Sequence, residues 1–384
     1  MNSLTDIPNM AHALQLARLG RYSCMPNPHV GCVLVRDGEV IGEGHTRPAG
    51  GNHAEIEALQ SAGNAQGATA YVTLEPCSHQ GKTGPCADAL VNAGVVRVVS
   101  AMTDPNPEVA GQGLARLRAA GIAVECGVLE NEARALNPGF IARMSRGRGR
   151  VRAKLAMSLD GRTAMASGES QWITSAAARQ DVQRLRAGSC AVLTGIGTVL
   201  SDDCALTVRP AELGLPPAEA DLASLQQPLR VVLDSRLQTP SDARVLAGDG
   251  PTYLCHSAGV SASTALRATG ASFLSLPQGE EGLAFAALFS FLAEQQCNEI
   301  LVESGPRLAG ALLQAGYLDE LIVYMAPALL GSRARPLLHL PLDEMAEKVP
   351  LTFVDVRTVG KDLRFTAIPE YPEPDGQALY GEDE

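Results

Sequence analysis

The 384-residue chain has no apolar run approaching the ~18 residues that a bilayer-spanning helix needs. Its opening, MNSLTDIPNM, lacks the basic and apolar regions of a secretory signal. It also lacks a basic excess, since 42 acidic residues against 31 Lys and Arg give a net charge of −11. A face that binds polyanions is normally basic, so general affinity for nucleic acid or anionic lipid is not expected. There is no internal repeat and no Walker loop. The nine cysteines are odd in number and scattered, unlike the dense framework of a disulfide-stapled domain. These absences predict a cytoplasmic protein with reduced thiols, free to serve metal or packing, and with no membrane partner. The length predicts two or three domains at about 100–200 residues each. A hydrophobic share of 46% is ordinary for a globular chain and rules out wholesale disorder.

Residues 1–142 alternate helix and strand signals. Ala11–Leu19 reads as an amphipathic helix with Asn9 as its N-cap and Gly20 as its stop. Val30–Val35 and Glu39–Gly42 flank Asp37-Gly38, a dipeptide that favours a tight hairpin. Helices are expected at His53–Ala62, Cys86–Asn92 and Leu114–Ala120, and strands at Ala70–Leu74, Val95–Ala101 and Ile122–Glu125. Such alternation predicts a three-layer α/β sandwich. A second α/β pattern runs from Val151 to about Ile368, with strands expected at Val151–Ser158, Ala191–Gly195, Leu229–Asp234 and Glu299–Glu303, among others. Its helices are expected at Ala176–Ala187, Leu283–Gln295 and Leu308–Gln314. Between the patterns, Arg143, Arg146, Arg148, Arg150, Arg152 and Lys154 read as a solvated linker. An RNA-binding arm is the alternative, disfavoured because no aromatics interleave. The closing stretch PEYPEPDGQALYGEDE, with three prolines and no basic residue, is expected to be a disordered tail over 369–384.

His53-Ala54-Glu55, then Pro76-Cys77, then Cys86 form the constellation that carries chemistry. One imidazole and two thiolates are three protein ligands, which leaves the fourth tetrahedral position of a catalytic zinc open. Both His53 and Cys86 stand where a helix begins, and the positive end of a helix dipole favours thiolate. Glu55, two residues from the ligand histidine, is placed to move protons between an attacking water and a leaving amine. The arrangement is the known signature of zinc nucleobase deaminases, except that eight residues separate the cysteines here instead of two. His79, between them, can contact substrate or close the site as a fourth ligand. Asn27, held in Pro26-Asn27-Pro28, can hydrogen-bond a heterocycle or simply make a turn. The other seven cysteines have no ligand-like spacing and read as packing residues.

The runs PNPHVGCVLV, HAEIEAL, GATAYVTLEPCSHQGKTGPCADALVNAGVVRVV and MTDPNPEVAGQGL resemble the bifunctional deaminase–reductases of riboflavin biosynthesis. The resemblance continues through KLAMSLDGRTAMASGESQWITS, TGIGTVLSDDCALTVR, VVLDSR, VESGPRLAGALL and DELIVYMAPALLGS, and covers nearly the whole chain. It implies a cytidine-deaminase-like α/β/α sandwich over 1–145 and a dihydrofolate-reductase-like α/β domain over 150–368. It also implies zinc, NADPH, a phosphorylated pyrimidine as small-molecule substrate, and a homo-oligomer. The chain departs from the family pattern at Thr46, Gln80, Lys82, Gly84 and Cys204.

From residues alone the second half says less. Gly195–Leu200, GIGTVL, lacks the third glycine of a dinucleotide fingerprint. Gly305-Pro306 opens a helix after a strand, where exposed amides can hold phosphate. The resemblance places cofactor contacts on Ala156, Trp172, Thr198, Asp202 and Ser235, and on Gly305, Pro306, Arg307, Leu308, Ala309, Gly310 and Ala311. It places substrate contacts on Ser170, Arg186, Leu206, Arg209 and Glu303, in addition to the deaminase candidates Asn27 and His79. Arg186 and Arg209 can each fork a ribose phosphate. Two other classes remain open at this point. One is a nucleic-acid editing deaminase that uses the arginine run, and the other a non-catalytic protein stabilised by zinc with His79 as fourth ligand.

Overall fold

The computed structural model describes residues 6–78, 84–107, 109–279 and 282–371. They divide into two compact units, the first running to Arg150 with Leu215–Gln226 and Phe289–Glu299, the second holding the rest. The first unit contains helices α1 (Asp6–Leu19), α2 (Ala54–Ala62), α3 (Cys86–Asn92), α4 (Gln112–Ala119), α5 (Glu130–Leu136) and α6 (Pro138–Arg146). Its strands are β1 (Gly31–Arg36), β2 (Glu39–His45), β3 (Thr69–Val72), β4 (Arg97–Ser100) and β5 (Ala123–Cys126), in the sheet order β2-β1-β3-β4-β5. β1 pairs antiparallel with both β2 and β3, whereas β3, β4 and β5 run parallel.

The hairpin forms where Asp37-Gly38 predicted it. Both residues have positive φ, 54° and 82°, as a type I′ turn requires. Missing side chains on this hairpin let helices approach its backbone. A Cβ on Gly31 would fall 1.9 Å from Ala13 O of α1, and one on Gly44 would fall 2.3 Å from Ala54 O of α2. Gly44 pairs with Cys32, the neighbour of Gly31, and neighbouring strand residues point to opposite faces. α1 and α2 therefore cover opposite faces of the sheet, which gives the three layers.

α1 begins earlier than expected, so Asn9 is a helical residue and not the N-cap. Pro8 does not prevent this, because a first-turn residue has no intrahelical partner for its N–H. The solvated linker also shrinks. Arg143 and Arg146 belong to α6, and Arg150, Arg152 and Lys154 to the next strand, so only Gly147–Gly149 lie between them. Gly147, at φ 69°, closes α6. α5 and α6 were not anticipated.

The second unit is built on β6 (Arg150–Ser158), β7 (Ala191–Gly195), β8 (Leu229–Leu233), β9 (Thr252–Ser257), β10 (Ser272–Leu276), β11 (Glu299–Glu303), β12 (Glu320–Ala326), β13 (Leu351–Val359) and β14 (Asp362–Pro369). They form one nine-stranded sheet in the order β10-β9-β8-β7-β11-β6-β12-β14-β13. β10-β9-β8-β7-β11 pair in parallel, as do β6 and β12, and antiparallel β14 and β13 end the sheet. Among its helices are α7 (Ala176–Ala187), α8 (Ile196–Asp202) and α10 (Pro306–Gln314), while α9 (Phe285–Glu294) begins in it and belongs to the first unit from Phe289 on. Ser175 caps α7, accepting from Ala178 N while donating to Asp362. β14 runs through Pro369, and the Tyr371 hydroxyl donates to Leu318 O, so order extends past the expected start of the tail. The remainder of that tail, 372–384, lies outside the described residues. No described helix is long and apolar enough to cross a membrane.

Candidate active sites

His53, Cys77 and Cys86 converge, their ligand atoms all within 4.8 Å of one another. Among the described residues this is the only histidine, cysteine or carboxylate cluster of metal-binding geometry. His53 is the N-cap of α2 and Cys86 the first residue of α3, so two helix starts bring them together. Pro85 precedes α3 as its N-cap. Cys77 stands at the other side and serves as that helix's cap: its Sγ accepts Cys86 N at 3.3 Å, and its carbonyl accepts Ala87 N at 3.1 Å. His53 Nδ1 lies 3.3 Å from Cys86 Sγ and 3.7 Å from Cys77 Sγ. The N–S edge of a tetrahedron built on zinc bond lengths is about 3.6 Å, so the donor spacing fits that ion.

The electrostatics also call for a cation. Cys77 is pulled down to about 4, first by the Cys86 thiol and then, against desolvation, by His53 and the Cys86 amide. Cys86 is pushed far up by Cys77, by burial and by Glu55. Two thiols this close do not both ionise unaided, and a divalent ion removes that conflict. Glu55, 4% exposed, has its carboxyl raised to about 7 by burial and then by the Cys77 charge. A carboxyl poised there can both accept and return a proton near neutral pH.

Of the other deaminase candidates, Asn27 sits half-buried on the Pro26–Pro28 turn, with its N–H given to Cys24 O at 2.9 Å. His79, Gln80 and Lys82 lie outside the described residues. Thr46 is buried, its hydroxyl accepting Val30 N at 3.3 Å, so it braces β1 and does not face solvent.

In the second unit a cleft of about 2050 Å³ opens at the carboxyl ends of β7, β8 and β11, the usual place for a ligand in a parallel sheet. Ala156, Trp172, Thr198, Asp202 and Ser235 line it, as do Gly305, Pro306, Arg307, Leu308 and Ala311 of the α10 start. Ser170, Arg186, Leu206, Arg209 and Glu303 line it too. Ala309 and Gly310 do not. Ala309 is fully buried, and a Cβ on Gly310 would fall 2.2 Å from His339 O, so both face packed protein.

Arg186 is not an open fork. Its Nε and Nη2 donate to the two Glu303 oxygens at 2.5 and 2.9 Å, and its Nη1 donates to Thr207 O. Its guanidinium is thus paired with Glu303 at the cleft wall. Burial opposes the Glu303 charge, but Arg186 outweighs it and holds the carboxyl below its ordinary range. Arg209 forks Glu212 at 2.5 and 2.6 Å, in a pair that is roughly half exposed. Trp172 is 69% exposed with the Arg179 guanidinium 4.5 Å from its ring centroid, so it is not a core residue.

Two cleft residues escaped the sequence reading. Lys154 lines the cleft, and burial lowers its ammonium pKa against the attraction of Glu303. The period-two pattern of RVRAKLAMS was the available signal, since it sets Lys154 on the same strand face as the cofactor candidate Ala156, opposite the buried Val151, Ala153 and Leu155. Cys204, expected to be packing, also lines the cleft, its thiol pushed up to about 12 by burial and then by Glu303. Cys126 is exposed and is not a packing residue either.

Comparison with known proteins assigns a family to each half of the chain. Residues 5–102 match the cytidine and deoxycytidylate deaminase zinc-binding region, and residues 150–365 match the RibD C-terminal domain. The riboflavin biosynthesis protein RibD of Escherichia coli is 52% identical over 92% of this chain and 96% of its own length. The solved RibD of Acinetobacter baumannii is 46% identical, with a TM-score of 0.88 over 96% of this chain and 99% of that one. A diaminohydroxyphosphoribosylaminopyrimidine deaminase and 5-amino-6-(5-phosphoribosylamino)uracil reductase from Thermotoga maritima is 30% identical. It superposes with a TM-score of 0.82, covering 95% of this chain and 99% of that one. A converged three-ligand set in one unit and a sheet-end cleft in the other, with likeness along nearly the full length, place this chain in the RibD family, zinc-dependent deaminases fused to NADPH-dependent reductases of riboflavin biosynthesis.

Proposed function

We propose that residues 1–145 hydrolytically deaminate a diaminopyrimidinone ribosyl phosphate and that residues 150–368 then reduce its ribosyl group to ribityl, with 369–384 an appended tail. The observation that carries this reading is the pairing of the His53, Cys77 and Cys86 cluster with a buried Glu55 whose carboxyl is raised to about 7. In this reading those three residues hold zinc, which supplies an activated water as nucleophile. Glu55 accepts the proton of the attacking water, donates it to the ring nitrogen, and passes a proton to the departing amine. Asn27 and His79 orient the heterocycle.

In the reductase, NADPH supplies the hydride. Ala156, Trp172, Thr198, Asp202, Ser235, Gly305, Pro306, Arg307, Leu308 and Ala311 hold it. The first amides of α10, behind Gly305, suit a phosphate. Glu303, oriented by Arg186, borders the sugar together with Ser170 and Leu206. Arg209 takes the substrate phosphate by exchanging its exposed partner Glu212. Placement of the nicotinamide against the sugar carbon is the protein's main contribution.

The partner is a small phosphorylated pyrimidine, in the cytoplasm, with no nucleic acid required. A homo-oligomer is supported by strand β13, at the sheet edge, which exposes Phe353 by 61%, Val354 by 51% and Val356 by 55%. One assay tests the central claim by following ammonia release and NADPH oxidation from the same pyrimidine ribosyl phosphate. Both are expected in sequence. Ammonia release without oxidation refutes the reductase half, and oxidation without ammonia refutes the deaminase half.

A further inference from the structure

In the short deaminase signature, two residues of chain fix one cysteine against the other. Here eight intervene, and the segment between them cannot set the thiol separation by its length alone. The structure supplies another connection. Glu75, two residues before Cys77 and 4% exposed, directs its carboxylate at the loop leading into α4. Four backbone amides donate to it: Asp104 N at 3.0 Å, Gly111 N at 2.9 Å, Gly113 N at 2.7 Å and Leu114 N at 3.2 Å. Glu75 N in turn donates to Met102 O at 3.0 Å. A Cβ at Gly113 would fall 2.0 Å from Pro76 O, so the first turn of α4 rests directly on the backbone at Pro76. These contacts give the MTDPNPEVAGQGL run a structural role beside the cysteine segment.

One turn further along α4, Arg116 reaches both cysteine segments. Its Nη1 donates to Ser78 O at 3.2 Å, just after Cys77. Its Nε and Nη2 fork the Asp88 carboxylate at 2.5 and 2.6 Å, two residues after Cys86. A planar guanidinium holds such a three-point contact in a fixed geometry, which an ammonium cannot reproduce.

We propose that α4 and its preceding loop form a brace, with Glu75 and Arg116 as positioning residues that set the separation of the Cys77 and Cys86 thiols for zinc. The brace rests on the assignment of those cysteines as zinc ligands. Residues that orient metal ligands typically cost 10–100-fold in metal affinity when removed. The test uses the full-length zinc-loaded protein, and measures zinc transfer to a competing chromophoric chelator together with deaminase and reductase turnover. Arg116→Ala and Glu75→Gln should each lower zinc affinity about 10-fold or more, with reductase turnover unchanged. Arg116→Lys should recover only part of the loss. Wild-type zinc affinity in both Arg116→Ala and Glu75→Gln overturns the brace, as does lowered deaminase turnover at unchanged affinity. If Glu75→Gln also loses reductase turnover, it has misfolded and Arg116→Ala alone decides. Cys86→Ser separates the two claims: zinc binding that survives this change overturns the ligand assignment itself.

Discussion

At the scale of single residues, the two proposed sites each hold a carboxylate, in opposite electrostatic states. Glu55 is raised by burial, so it is poised to cycle its proton. Glu55→Gln keeps the shape and removes the proton carrier, so deamination should fall about 10²–10⁴-fold while zinc content and NADPH oxidation of the deaminated intermediate persist. Metal analysis and the two turnover assays check this. Glu303 is the opposite case, held ionised by Arg186. Because its folded pKa is depressed, its contribution to stability is full above the ordinary carboxylate range and is lost as pH falls through the lowered value. Melting temperature should therefore decline from pH 6 towards pH 3, and Glu303→Gln should flatten the part of that decline due to this group. The same substitution leaves a buried guanidinium without its counter-charge, which should cost about 3–5 kcal/mol in denaturant unfolding at neutral pH.

At the scale of elements, the sequence was informative where local chemistry decides. Asp37-Gly38 favoured the tight hairpin that forms, and the boundaries of α7, β7 and β11 were readable because apolar periodicity and end residues agreed. His53, Cys77 and Cys86 were legible because metal ligation restricts residue type, and Glu55 because it stands two residues from the ligand histidine. Three-dimensional roles were not. Arg186 read as a phosphate fork because nothing in a linear chain shows that Glu303, 117 residues away, occupies it. α5 and α6 meet at Asn137-Pro138 with almost no intervening turn, so there was no loop signal to separate them. The basic run read as a linker because its charges hid a helix end and a strand start. Packing of α2 on the hairpin was equally invisible, yet it sets where His53 stands. Gly44→Ala should push α2 from β2, destabilise the protein by about 1–3 kcal/mol, and loosen zinc without altering any ligand. Thermal melts and chelator competition report the two effects.

At the scale of the whole molecule, an edge strand and a net charge remain to be accounted for. If β13 pairs copies of this chain, Val354→Arg should shift the protein towards monomer in light scattering while leaving zinc bound. The charge of −11 excludes nothing about a phosphorylated substrate, because the recognising cations are local. In this structure they are also already taken: Arg209 holds Glu212 where the substrate phosphate is proposed to bind. Glu212 is then a resident competitor. Each binding event has to displace one anion with another, so affinity reflects a difference between two ion pairs and not the strength of one. Glu212→Gln should accordingly lower the KM of the reductase for its phosphorylated substrate several-fold, leave kcat near the wild-type value, and weaken the response of KM to pH below the carboxylate range. A KM that rises in this variant would mean that Glu212 helps to position Arg209 and does not compete for it.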